Sequence, residues 1–381
     1  MRITGASVYD HREGFVERDI YTDGPRITHF SGDGDVYDAR GMYLIPGLTD
    51  LHFHGCVGED FSDATADGLR RIAEYELHRG VTQICPAGMT LSEEQIRAIC
   101  RNAARHARAQ MSGAEGAGAD LVGLNLEGPF LCFAKKGAQN AAFLRKPDPA
   151  LLAGFQEAAE GLVKLVTLAP EEGNAQAFIH KAKELGVRVS LGHTNANYEQ
   201  ACAAYAAGAR QATHLFNAMP PFSHREPGVV GAAFEYPDVS VELISDGIHI
   251  HPNVLRAVFK LFGPERVILI SDSLRATGMP DGVYPFGGQM IEVHGSRAHM
   301  LGEAGTLAGS VSDLMACLRK AVSFGIPLES AVRAASYNPA KALGIDSNYG
   351  SLDAGKMANM AVLNADLELQ TVIFHGKRLD I

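Results

Sequence analysis

From residue 43 to residue 272 the chain alternates short apolar runs with stretches patterned as amphipathic helices, and this alternation narrows the possible folds more than any other feature. The apolar runs read MYLIPGLTDLHFH, VTQICPAG, LVGLNLEGP, LVKLVTLAP, VRVSLGH, ARQATHLF, VSVELISDG and RVILISD, eight in all. Runs that stay apolar, without in-out alternation, are expected of strands buried on both faces, as in a parallel sheet covered by helices. The intervening segments, such as ADGLRRIAEYELHRG and SEEQIRAICRNAARHARA, carry apolar residues at helical spacing and end or begin with capping residues. Eight such units predict a (β/α)8 barrel. An open doubly wound sheet is the alternative, but no glycine-rich phosphate loop follows the first strand.

The two ends have a different texture. Residues 1–43 and 346–381 break into short strand-like pieces separated by Gly, Asp and Pro turns. They predict a small β-sandwich domain assembled from both termini, flanking a catalytic barrel at 44–345. At 381 residues and 46% hydrophobic, the chain can bury a core of that size. No apolar run approaches the roughly 18 residues of a membrane helix, and the start lacks the pattern of a signal peptide. The six cysteines show no CxxC spacing, so neither a zinc knuckle nor a disulfide framework is expected, and a reducing cytoplasm fits. A formal net charge of -10 argues against nucleic acid as a partner while leaving room for an anionic small substrate.

Chemistry-bearing residues gather where the strands end. His52 and His54 close the first apolar run; in an extended strand they share one face, with Leu51 and Phe53 on the other. Glu127 closes LVGLNLEGP, His193 closes VRVSLGH, His214 closes ARQATHLF and Asp272 closes RVILISD. The C-terminal strand ends of a (β/α)8 barrel converge on one rim, where the active site sits. Taken singly, each residue has an ordinary structural reading as a turn cap, a satisfied histidine or an N-cap. Taken together, six such groups buried without a cation would cost on the order of several kcal/mol. A divalent metal is therefore expected, and nitrogen and carboxylate donors suit zinc, iron, cobalt or manganese alike.

PGLTDLHFHG, LNLEGPF, LGHTNA, THLFNAMPPFSHREPGVVG, ISDGIHIHP, LISDSLRATG and GTLAGS resemble the N-acetylglucosamine-6-phosphate deacetylases of the amidohydrolase superfamily, from about residue 43 to 345. HLFNAM with REPG is specific to that family. The resemblance implies a TIM barrel of the metal-dependent amidohydrolase type that hydrolyses the N-acetyl group of N-acetyl-D-glucosamine 6-phosphate. It implies that Glu127, His193 and His214 hold one metal. Many amidohydrolases bridge two metals with a lysine on the fourth strand, but here Lys164 stands at the beginning of that strand, so Glu127 is the expected bridge. With His52 and His54 retained, a second metal held by them, Glu127 and Asp272 is chemically possible, giving one or two per subunit.

The resemblance further makes Asp272 the general base and acid. It assigns His249 and Arg225 to the sugar phosphate, with part of that site supplied by a neighbouring subunit of a homodimer. FNAM and TLAGS would add substrate contacts from Asn217, Ala218, Leu307, Ala308 and Gly309. Gln139 stands where some members carry a histidine that touches the acetyl carbonyl; it keeps a donor but cannot carry charge. The same scaffold serves N-acetylgalactosamine-6-phosphate deacetylases and, more distantly, amidohydrolases of cyclic or other N-acyl amides, so the epimer preference stays open.

Overall fold

The structure is a computed structural model that describes residues 1–30, 34–113, 118–302 and 305–379. Eight parallel strand positions form its centre: Leu48–Asp50, Val81–Ile84, a third position in two pieces (Asp120–Leu121 and Leu124–Leu126), Val163–Leu168, Arg188–Leu191, Gln211–Ala212, Ser240–Ile244 and Val267–Ile270. Each pairs in parallel with the next, as in Val166↔Val189 and Leu243↔Leu269. The ring closes where the Asp272 N–H donates to the His52 carbonyl at 2.9 Å and the His54 N–H donates to the Ser273 carbonyl at 2.7 Å. A parallel pair requires a crossover, and the helices supply it on the outside of the ring. Their starts follow local chemistry: Ser92 and Gln95 form a capping box for Glu93–Met111, and Asn197 and Gln200 do the same for Tyr198–Ala207.

The first apolar run is not one strand. Tyr43–Pro46 belongs to a six-stranded sheet built from both chain ends, and only Leu48–Asp50 belongs to the barrel. Gly47 lies at the junction because a Cβ there would stand 1.9 Å from Thr82 Oγ1. His52 and His54 lie past the strand proper, although the Ala87 N–H still donates to the Phe53 carbonyl at 2.7 Å. Leu51 and Phe53 are fully buried.

The six-stranded sheet also takes in Ser7–Asp10, Gly14–Glu17, Met360–Leu363, Leu369–Phe374 and Lys377–Leu379, and a four-stranded sheet runs through Arg2–Thr4. A separate apolar core of Ile3, Val8, Ile20, Ile27, Leu44, Met360, Val362 and Ile373 lies with these sheets. One element is absent from the sequence reading: a three-stranded antiparallel sheet, Gly282–Phe286, Gln289–His294 and Arg297–Met300, inserted after the eighth barrel strand. No helix among the described residues is long and apolar enough to cross a membrane.

Candidate metal centre and substrate cavity

The residues that end the barrel strands converge. His52, His54 and Asp272 form one group, and Glu127, His193 and His214 form another, with the donor atoms of each group within 4.8 Å of one another. Glu127 lies between them. Its Oε1 is 3.0 Å from both His193 Nε2 and His214 Nε2 and 3.3 Å from His52 Nε2, while its Oε2 is 3.2 Å from His54 Nε2. Asp272 Oδ1 is 3.3 Å from His54 Nε2 and 3.9 Å from His52 Nε2. All six are buried.

The backbone is bent to bring them there. His193, His214 and Asp272 have φ of 46°, 28° and 48°, and Ala218 has 52°. Non-glycine residues in this left-handed region cost energy and persist where the surroundings over-determine them, which is common at functional sites.

A cation fits this arrangement. Three rings have Nδ1 against an acceptor: His52 against Glu242 Oε2 at 2.8 Å, His54 against the Ala87 carbonyl at 3.1 Å, and His193 against the Lys135 carbonyl at 2.9 Å. Nδ1 therefore carries a proton, and a ring that gives up its second proton turns an Nε2 lone pair inward. These lone pairs meet one another and a carboxylate, with His193 Nε2 only 3.0 Å from His214 Nε2 and His52 Nε2 buried with no hydrogen-bond partner among the described residues. A positive charge between them converts mutual repulsion into coordination. The electrostatics agree. Burial opposes protonation of His54, yet Asp272 and Glu127 raise its pKa to about 10, and burial of Glu127 is outweighed by His52 and His193, which hold it well below the usual carboxylate range. The site favours positive charge.

The second expected metal position has no lysine bridge: Lys164 sits near the start of the fourth strand, beside Gly123. Glu127 is the carboxylate that both donor groups approach, within 3.3 Å of all four histidines.

A cavity of about 490 Å³ opens beside the donors. His54, Glu127, Gln139, His193, His214 and Asp272 line it, together with Asn217, Ala218, His249, Leu307, Gly309, Lys135, Lys136 and Phe286. Gly309 has φ of 45°, and a Cβ there would lie 2.8 Å from the Asp272 carbonyl oxygen, so only glycine permits this approach. His249 is gripped by Asp246, Nδ1 to Oδ2 at 2.8 Å. Burial lowers its pKa, but the Asp246 hydrogen bond and charge outweigh burial and raise it.

Two expected contacts are placed elsewhere. Ala308 is fully buried and off the cavity, its N–H donating to the Ala298 carbonyl at 3.1 Å. Arg225 is exposed and off the cavity of its own chain, and among the described residues no ion pair forms to it, with Glu226 or otherwise. Gln139 also lines the cavity, with its Nε2 donating to Glu127 Oε2 at 2.6 Å and its Oε1 accepting the Thr90 N–H at 2.7 Å.

The sequence reading missed three participants. Glu242 backs His52, Asp246 holds His249, and Phe286 packs its ring against the His54 ring, centroids 5.5 Å apart at 81°. The first two were visible as acids within the run VSVELISDG, where an unpaired buried carboxylate is costly.

Residues 43–379 match the model of the Amidohydrolase family. The chain belongs to that family. It is 39% identical over 334 residues to the N-acetylglucosamine-6-phosphate deacetylase of Bacillus subtilis (strain 168), covering 87% of this chain and 83% of that one. It is 35% identical to the N-acetylgalactosamine-6-phosphate deacetylase of Escherichia coli O157:H7, covering 90% and 89%. Among solved structures, a substituted form of the Mycobacterium smegmatis N-acetyl-D-glucosamine-6-phosphate deacetylase, in complex with N-acetyl-D-glucosamine 6-phosphate, superimposes with a TM-score of 0.91 at 35% identity over 99% of this chain and 98% of that one.

Proposed function

We propose that this amidohydrolase removes the acetyl group of N-acetyl-D-glucosamine 6-phosphate, giving acetate and D-glucosamine 6-phosphate. The observation that carries the reading is the pair of donor sets meeting at Glu127, with Asp272 at their edge and a cavity opening beside them. When bound, a divalent ion supplies Lewis acidity, bringing the pKa of water down toward about 7 and polarising an amide carbonyl. The chain's own residues do the rest. Burial would raise the Asp272 carboxyl, but His54 and His52 hold it below its usual range, so it stands ready as a base at neutral pH. It takes the proton of the attacking water and returns it to the departing amine nitrogen. His249, held by Asp246 and with its pKa raised by that partner, receives the phosphate. Asn217, Ala218, Leu307 and Gly309 shape the space for the sugar.

The two donor sets would hold one or two cations per subunit, two being favoured, drawn from zinc, iron, cobalt or manganese, with Glu127 within reach of both sets. We infer a homodimer in the cytoplasm. In it Arg225, which is exposed in its own chain, reaches a neighbour's phosphate with a planar fork suited to two phosphate oxygens. The sheets at 1–43 and 346–381 act as a small domain beside the barrel at 44–345. The galacto epimer is the second reading, because a relative of comparable identity bears that name.

Acetate release from both epimers, before and after chelation and metal restoration, tests this. Release from the gluco substrate that vanishes with chelator and returns with metal is expected. Absence of release with every metal tried refutes the deacetylase reading, and faster turnover of the galacto epimer transfers it to the second substrate.

A further inference from the structure

Glu242 lies on the seventh barrel strand, fully buried in the run Val241-Glu242-Leu243-Ile244. Three N–H groups converge on its carboxylate. Oε2 accepts from His52 Nδ1 at 2.8 Å and from the His214 backbone N–H at 3.1 Å, and Oε1 accepts from Gln211 Nε2. His52 belongs to the donor set with His54 and Asp272, whereas His214 belongs to the set with Glu127 and His193. A single oxygen therefore pins one member of each set.

The four rings are not backed alike. His54 and His193 rest on backbone carbonyls, and His214 Nδ1 has no hydrogen-bond partner among the described residues. Only His52 leans on a carboxylate. A carbonyl is enough to fix a tautomer; a carboxylate also makes the inward nitrogen more basic, and such outer partners are worth about 10–100-fold in metal affinity.

We propose that Glu242 is a positioning residue that, through His52, is required for this chain to hold a cation at His52, His54 and Asp272. The proposal rests on the reading that each set takes a cation. Its consequence is selective: weakening Glu242 empties the His52 position while the set of Glu127, His193 and His214 keeps its cation, turning a two-cation protein into a one-cation protein.

The test titrates metal-free protein with cobalt(II) against a competing chelator, following the cobalt d–d absorbance, for the wild type, Glu242→Gln and Glu242→Asp. The amide keeps the shape but turns an NH2 or a single oxygen toward three donors. The aspartate keeps the charge but withdraws it from His52 by one methylene, and gives the same reading if the amide does not fold. The wild type is expected to take two equivalents. In the variants the tighter equivalent stays within about twofold, and the weaker one loses about 10–100-fold. In a His52→Ala background Glu242→Gln is expected to change the remaining equivalent by less than about twofold, a result that a merely structural role would not give.

Variants that bind both equivalents as the wild type does, or that lose both equally, overturn the proposal. A wild type that takes one equivalent overturns it together with the two-cation reading, while acetate release continues to judge the deacetylase reading separately.

Discussion

Replacing Asp272 with asparagine removes a proton-accepting oxygen and leaves the shape of the site. The backbone there does not depend on the carboxylate: its N–H donates to the His52 carbonyl at 2.9 Å and its carbonyl accepts the Ser310 N–H at 2.7 Å. Its φ of 48° is one that asparagine tolerates as well as aspartate does. The retained Oδ1 still lies near His54 Nε2, 3.3 Å away in the native site. The fold and cavity should persist, and the loss should fall on proton transfer. General acid–base catalysis contributes about 10²–10⁴-fold in rate, which is about 3–5.5 kcal/mol at about 1.36 kcal/mol per tenfold. Asp272 also belongs to the donor set of His52 and His54, so the assay should be run at saturating metal to separate occupancy from proton transfer. We expect acetate release with kcat lowered at least about 100-fold and KM within about threefold of the wild type. A variant that retains more than roughly a tenth of the wild-type kcat at saturating metal refutes Asp272 as the proton carrier.

Two further changes probe the cavity wall and the seam between sheet and barrel. The raised pKa of His249 means that its positive charge persists above the ordinary imidazole range and is lost as pH rises through the folded value; KM for the phosphorylated sugar should climb over that window while kcat holds. Its stabilising effect is correspondingly complete below about 6.5 and fades as pH rises. Asp246→Asn should move the climb in KM to lower pH, and a profile identical to the wild type would sink the pairing as the cause. Gly47→Ala drives a Cβ to 1.9 Å from the oxygen of the fully buried Thr82, so it should lower stability by about 1–3 kcal/mol, read from the denaturant midpoint. An unchanged midpoint would mean that the seam has room that the structure denies.

Much of the architecture was readable because its signals are local. Continuous apolar runs separated by capped helical patterns specify buried parallel strands, and the rule that barrel sites form at C-terminal strand ends selects His52, His54, Glu127, His193, His214 and Asp272 from a chain with many other histidines and acids. The run at 42–54 was harder. It reads as one strand because apolar character is continuous across Gly47, and only the strand pairing reveals that two sheets share it.

Side-chain partnerships were out of reach for a different reason. The hydrogen bond from Gln139 to Glu127, the grip of Glu242 on both His52 and His214, and the seat of Phe286 against His54 join residues brought together only when the ring closes. A lone acid in an apolar strand signals that a partner exists without saying which. In the same way, TLAGS marked a turn near the site, but strand pairing decided that Leu307 and Gly309 face the cavity while the Ala308 N–H is spent on Ala298. The sequence by itself determined the order of strands and helices and the donors at the strand ends, because periodicity and residue chemistry are properties of neighbours along the chain. Which oxygen backs which ring, which nitrogen faces inward and which loop residue meets the substrate were decided by tertiary structure alone, because hydrogen bonding depends on separations of about 3 Å that no linear spacing encodes.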